Sequence, residues 1–264
     1  MKQRMLRTAA GAILAVVMVL PGAARPAHAI PPAAIAAVVS FASSAYSLIQ
    51  GVFRPGASAD DLSAGVRLII NAIETSKTEI LARIDAIATA EASACARQAV
   101  IEFADIESFT PQTMQRWAQD ATGCVTLISS LIGTVSTKPE TDELGIALNT
   151  AGPIAIAARA RAGFSIDSLK TIVAQGNRSL VTLLEPACSL TPLWGDQPPG
   201  SREVEVNVRC TVYPGVVSVG HIIVAGQRNK PLHVPFSAYE HIFTAASNQT
   251  SRAVALAALQ IMPS

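Results

Sequence analysis

Hydrophobic residues along this chain recur mostly at steps of three and four, and only one region alternates. Leu62, Val66, Ile69, Ile73, Ile80, Ile84 and Ile87 form the clearest series, with the spacing of a heptad seam of the coiled-coil kind. Ser58 stands ahead of it as an N-cap, and Asp60 and Asp61 fall in the first turn, where carboxylates favour the helix dipole. No Gly or Pro interrupts the run from Val66 to Phe109. The pattern therefore predicts one helix over about 60–107, ~70 Å long at about 1.5 Å per residue. Such a rod cannot bury itself, so other helices must lie along it.

Thr110-Pro111 opens the next helix with a cap and a first-turn proline. Its apolar stripe is Met114, Trp117, Ala121, Cys124, Ile128 and Leu131. The two helices form an antiparallel hairpin turning near 109–110. Upstream, Ile30 to Phe53 holds no charged residue and lies between Pro31-Pro32 and the turn Arg54-Pro55-Gly56. It reads as a helix that folds back at 54–58 onto the near half of the rod, so that two shorter helices flank a long central one.

Beyond the hairpin, Thr137-x-x-Glu140 is a capping box. The apolar stretch it opens should be kinked or split at Gly152-Pro153. Ser165 caps a helix over about 166–184, which Pro186 terminates. Pro192, Pro198, Pro199 and Gly200 then read as a loop. From Glu203 to Tyr213 the texture changes to strict alternation. Val204, Val206, Val208, Cys210 and Val212 fall on one face, and Glu203, Glu205, Asn207, Arg209 and Thr211 on the other, as in a strand with one buried side. Pro214-Gly215 turns the chain into a second strand over Val216 to Ala225. A hairpin alone is marginal, so it must pack on helices or on a third strand. Ser237-x-x-Glu240 caps a last helix over about 238–261.

The fold class that follows is mainly α: a helical bundle built on a long antiparallel helical hairpin, with a small C-terminal β-hairpin subdomain. The helical part covers 30–187. The hairpin and final helix, 188–264, pack on it within one unit.

The N-terminus changes the setting. Lys2, Arg4 and Arg7 precede an uncharged apolar run, Ala9 to Leu20. Pro21, Gly22 and Pro26 follow, and then Ala27-His28-Ala29, whose small residues fit signal-peptidase pockets. Residues 1–29 read as a secretory signal peptide cleaved after Ala29, so the mature protein is expected outside the cell or in the envelope space. Cleavage removes four of the 20 Lys/Arg and none of the 19 Asp/Glu. The formal charge moves from +1 to −3, which leaves no electrostatic footprint for nucleic acid. No lipobox cysteine precedes the mature start.

Export also decides how the four cysteines read. Cys95, Cys124, Cys188 and Cys210 include no close C-x-x-C pair, so two disulfides are expected rather than a metal site. Cys95 lies about fifteen residues before the turn and Cys124 about fifteen after it, which places them at one height of the hairpin. Cys95–Cys124 is therefore the expected staple, with Cys188–Cys210 by exclusion. Each is worth roughly 3 kcal/mol in the chain-entropy model.

Catalytic chemistry finds little footing. His221, His233 and His241 share a contiguous region but lack metal-site spacing and any H-E-x-x-H pattern. The segment from Gly215 through Ser218 to Gly220 has one residue too many for a nucleophile elbow, which weakens a Ser218–His221 pairing. Glu203 and Glu205 share a strand face, but few aromatic rings stand near to hold a sugar. There is no phosphate-binding glycine pattern. No catalytic, cofactor-binding or metal-ligating residue is assigned, and no cofactor is expected. Ile30–Phe53, at 24 uncharged residues, and Leu144–Ala158, at 15, raise the question of membrane association. Hydroxyls, Gly and Pro dilute both, which favours inner helices of a bundle. The best reading is a non-enzymatic exported protein that works by binding a protein partner or by its shape. A membrane-acting, pore-forming-like helical protein is the alternative, and an enzyme using the 194–241 region is third.

Overall fold

The computed structural model describes residues 32–52, 58–87, 89–195, 202–227 and 230–262. The proposed signal peptide, residues 1–29, lies outside the described residues, as does the expected turn Arg54-Pro55-Gly56. The helices are α1 (Pro32–Gly51), α2 (Ala59–Asp85), α3 (Ala90–Phe103), α4 (Pro111–Ile132), α5 (Lys138–Arg161), α6 (Asp167–Leu183), α7 (Phe236–Ser247) and α8 (Ser251–Ile261). The strands are β1 (Ala187–Leu193), β2 (Glu203–Tyr213) and β3 (Val216–Ala225). The chain is thus mainly helical with one small antiparallel sheet in its C-terminal region.

The centre of the bundle is α5, not the heptad helix. From Leu144 to Ala158 every side of α5 is buried, and α1, α2, α3, α4, α6 and α8 all pack on it. A helix apolar all round must be covered all round, and this is the 15-residue uncharged stretch of the sequence. The expected kink or split at Gly152-Pro153 does not occur: α5 runs unbroken through Pro153. Its N-cap is half of the expected capping box, with the Thr137 hydroxyl accepting from the Glu140 N–H at 3.4 Å. Gly163, at φ +77°, closes the other end. There the Phe164 N–H donates to the Arg159 carbonyl and the Gly163 N–H to that of Ala160, the Schellman pattern that a left-handed glycine permits.

The single rod expected over 60–107 is two helices. α2 begins with the capping box of Ser58 and Asp61, as its sequence specifies. It ends at Asp85, and the chain folds back into α3. No breaker lies at 86–89. Tertiary bonds hold the corner instead: the Ser93 hydroxyl donates to the Ile84 carbonyl at 2.7 Å, and Arg97 pairs with Asp85. The helical hairpin is therefore the shorter one of α3 and α4. Cys95 and Cys124 are joined across it with Cα atoms 5.5 Å apart. Below the disulfide, Phe103 and Phe109 pack on Trp117, with centroids 6.0 and 5.7 Å from it.

α1 packs on α2, α5 and α8. It buries Ile35, Val38, Phe41, Ala42, Ala45, Tyr46 and Ile49, while Ser40, Ser44, Ser47 and Gln50 are exposed. Ser40, Ser44 and Ser47 thus form the solvent side of this segment, while the Tyr46 hydroxyl is buried. Among the described residues, no helix is long and apolar enough to cross a membrane.

Three elements at the C-terminal end differ from expectation. Pro192 does not open a loop but lies in β1, a third strand absent from the sequence reading. The final helix over 238–261 is broken at 248–250, and Ser237 is not its cap: α7 begins at Phe236, two residues earlier, with Pro235 at the cap position. α8 then leaves the sheet and joins the bundle against α1, α5 and α6, capped by the Thr250 hydroxyl. Arg252 secures the turn by donating to the Val181 carbonyl at 3.0 Å and to Ser247 Oγ at 2.9 Å, and it lies over the Phe243 ring.

One buried carboxylate fastens the sheet and α8 to the central helix. Asp142 of α5 accepts the Tyr213 hydroxyl proton at 2.6 Å and the Ser251 backbone N–H at 2.6 Å. Burial raises its pKa, and the bonds from Tyr213 and Ser251 and the charge of Arg83 oppose that shift. Burial, followed by the Asp142 charge, pushes the Tyr213 phenol up.

Candidate functional site

The sheet has one covered face and one bare one. Its order is β1-β2-β3, antiparallel throughout. Alternation in β2 sends Val204, Val206, Val208, Cys210 and Val212 inward, all buried. α7 covers this side. Gly220 of β3 admits it: a Cβ there would lie 2.6 Å from Cδ1 of Ile242. Gly215, at φ +89° behind Pro214, makes the β2–β3 turn, since that conformation favours glycine.

Cys188 of β1 lies directly opposite Cys210 of β2. The two are joined with Cα atoms 4.0 Å apart, which suits the closer, non-hydrogen-bonded type of antiparallel pair. The disulfide thus fixes the register of the edge strand that the sequence did not announce.

The outer face is assembled in rows by the register. Glu205 lies beside Leu193 and Ile223, Asn207 beside Thr191 and His221, and Arg209 beside Ser189 and Val219. Val219 is 52% exposed and Ile223 71%. On the diagonal between rows, His221 Nδ1 lies 2.9 Å from Glu205 Oε1. Both side chains are about half exposed, so the pair orders the face while adding little stability. The result is an open surface with apolar side chains set among charged ones.

The sequence candidates are placed as follows. Ser218 shares the inner face with Cys210, while His221 lies on the outer one, so these two cannot act together. His241 belongs to α7, across the sheet from His221, and His233 lies in the exposed connection between β3 and α7. Among the described residues, no group of three or more His, Cys, Asp or Glu is arranged to hold a metal ion. Glu203 and Glu205 share the outer face, as their alternation requires. The Leu144–Ala158 stretch is the buried middle of α5.

Sequence reasoning missed two buried polar groupings: the Asp142 junction and a cluster between α1, α5 and α6. In the cluster, the Tyr46 hydroxyl donates to Asn149 Oδ1 at 3.2 Å, and Asn149 Nδ2 donates to Asn177 Oδ1 at 2.9 Å. For Asn149 the available signal was a polar residue inside the uncharged run 144–158; Asp142, next to Glu143 and near Glu140, carried no such signal. Both groupings are sealed in the core and can only position other elements. Among the described residues, surface depressions lie apart from one another. One of about 320 Å³ between α4 and α6 is lined by hydroxyl side chains such as Thr126, Ser130 and Ser179. Another of about 320 Å³ between α1 and α6 includes Gln50, Lys170 and Arg178. No protein-family model, curated protein or solved structure matches this chain.

Proposed function

We propose that this is a non-enzymatic, exported binding protein that meets a protein partner through the outer face of its sheet. The observation that carries the reading is the asymmetry of that sheet. One face is sealed by α7, while the other leaves Val219 and Ile223 in water between Glu205, His221 and Arg209. Exposed apolar groups rimmed by charge are the composition of contact surfaces. Two disulfides in a chain with a secretory leader support an oxidising destination. Cys188–Cys210 also ties β1 to β2, which holds the face rigid and lowers the entropy lost on binding.

The test places a photo-crosslinking amino acid at position 223 in the exported protein, and at position 68 on α2 as an exposed apolar control. Leu68 is also exposed. A defined crosslinked protein from 223 and none from 68 supports the reading. Equal labelling from both positions, or none from 223, overturns it. N-terminal sequencing of the exported material should begin at Ile30.

A further inference from the structure

The pairing of β3 determines which of its backbone groups are already bonded. The Gly226 N–H donates to the Arg202 carbonyl at 2.9 Å. Val224, Ile222 and Gly220 continue that pattern opposite Val204, Val206 and Val208. Antiparallel ladders alternate, so even-numbered residues of β3 bond to β2 and odd-numbered ones face away. Val219, His221 and Ile223 therefore aim N–H and C=O groups at the open edge. Val217 is the neighbour that is occupied: its carbonyl accepts from Gln249 Nε2 at 3.3 Å.

An edge of this kind is a template for another strand unless something blunts it, and proline, lysine or a bulge are the usual means. β1, the opposite edge, carries Pro192. From Val216 to Ala225, β3 has no proline, lysine or arginine. Its odd-numbered side chains, including Val219 and Ile223, stand exposed on the outer face.

We infer that β3 pairs edge to edge with β3 of a second copy of this chain, antiparallel about a two-fold axis through His221, to give a six-stranded sheet. This rests on reading the sheet as the contact surface and extends it to the edge. In that register Val219 of each copy meets Ile223 of the other. The existing rows then become complementary in charge. Glu205 flanks Ile223 and Arg209 flanks Val219, so both rows that join Val219 to Ile223 have a carboxylate on one side of the apolar pair and a guanidinium on the other, while the central row sets His221 against His221. Sliding one way by a residue pair brings Val217 into the junction, where Gln249 already holds its carbonyl. Sliding the other way sets Val219 against Ala225 and loses the Val–Ile contact. The junction spans about five residues, well short of the ~1,600 Å² of a standard interface, so the dimer is weak and forms at high concentration.

Sedimentation velocity on the exported protein, disulfides intact, from about 1 µM to 1 mM tests this. The sedimentation coefficient should rise with concentration, and the amides of Val219, His221 and Ile223 should exchange more slowly at the high end. Ile223→Lys should weaken association at least about tenfold, because it replaces two symmetry-related apolar contacts. Arg209→Glu should weaken it as well, and adding Glu205→Arg should restore it. His221→Pro removes an outward N–H and none in the ladder, so it should abolish dimers even if the Lys variant misfolds. A monomer at every concentration, or a dimer indifferent to both Ile223→Lys and His221→Pro, overturns the inference. If position 223 nevertheless crosslinks a different protein, the contact-surface reading survives and only the self-pairing fails.

Discussion

Replacing Asp142 by Ala removes the acceptor shared by the Tyr213 hydroxyl and the Ser251 N–H, both at 2.6 Å. Neither donor can turn to water, since Ser251 is fully buried and Tyr213 nearly so. Each buried donor left without a partner costs about 1–3 kcal/mol. Relief from burying a carboxylate offsets part of this, leaving a net loss of about 2–4 kcal/mol. In a domain of this size that is a fall in Tm of roughly 5–15 °C. Asp142→Asn separates the bonds from the charge. Its Oδ1 still accepts from Ser251, and its amide faces the Tyr213 hydroxyl, which can rotate to accept. At neutral pH this variant should lie within about 1.5 kcal/mol of the wild type. The pH dependence then carries the sign. Burial raises the native pKa of Asp142 above its unfolded value of about 3.9. The contribution of that proton is fully present below pH ~4 and is lost as pH rises through the raised native value. The wild type should therefore lose stability relative to Asp142→Asn as pH rises from about 4 through the raised native value. Urea unfolding followed by far-UV circular dichroism, with disulfides intact, measures both effects. A cost for Asp142→Ala under about 1 kcal/mol, or a wild-type-minus-Asn difference that is flat or of opposite slope with pH, would refute the reasoning.

Two further perturbations probe how the layers are held together. A Cβ at Gly145 would lie 2.7 Å from Ser251 Cβ and 2.9 Å from Leu180 Cδ2, so Gly145→Ala should destabilise by about 1–3 kcal/mol despite its better helix propensity; Ser251→Gly in the same chain should recover part of the loss, read by the same unfolding curves. Removing Cys95–Cys124 or Cys188–Cys210 by paired Ala substitution should cost about 3–4 kcal/mol each, from loops of 29 and 22 residues. Hydrogen exchange should separate the two: the first variant should speed exchange in α3 and α4, and the second in β1 and β2.

Of the candidate surface, β2 and β3 were legible as strands, and so was the inward or outward direction of each residue, because alternation is local. β1 was not. Its seven residues, Ala-Cys-Ser-Leu-Thr-Pro-Leu, alternate only between exposed and half-buried positions, and a proline argues against a strand unless that strand is an edge. Only the partner, with Cys188 set against Cys210, makes it one. The Cys95–Cys124 staple was readable because two cysteines equidistant from a turn must meet in an antiparallel hairpin, whatever lies beyond it. The contact face itself was not readable, since α7 covers the sheet by a packing choice that alternation leaves open.

The sequence by itself determined the helical periods, the caps at Ser58, Thr110 and Thr137, the strand faces and the cysteine spacing about the 109–110 turn. Each depends on residues within a few positions of one another, where steric preference and local hydrogen bonds decide. Tertiary structure decided that the heptad rod breaks at 86–89, that α5 rather than α2 is the axis, that the last helix divides at 248–250, and that Asp142 is buried. No residue at 86–89 forbids a helix. Breaking it there forfeits a few backbone hydrogen bonds worth about 1 kcal/mol each. Folding back buries Val100 and Phe103 with Ala92, Ala96 and Ala99, at about 1.5–3 kcal/mol for each large side chain. Burial between distant segments outweighs the continuity of one helix, and no stretch of sequence holds both sides of that comparison.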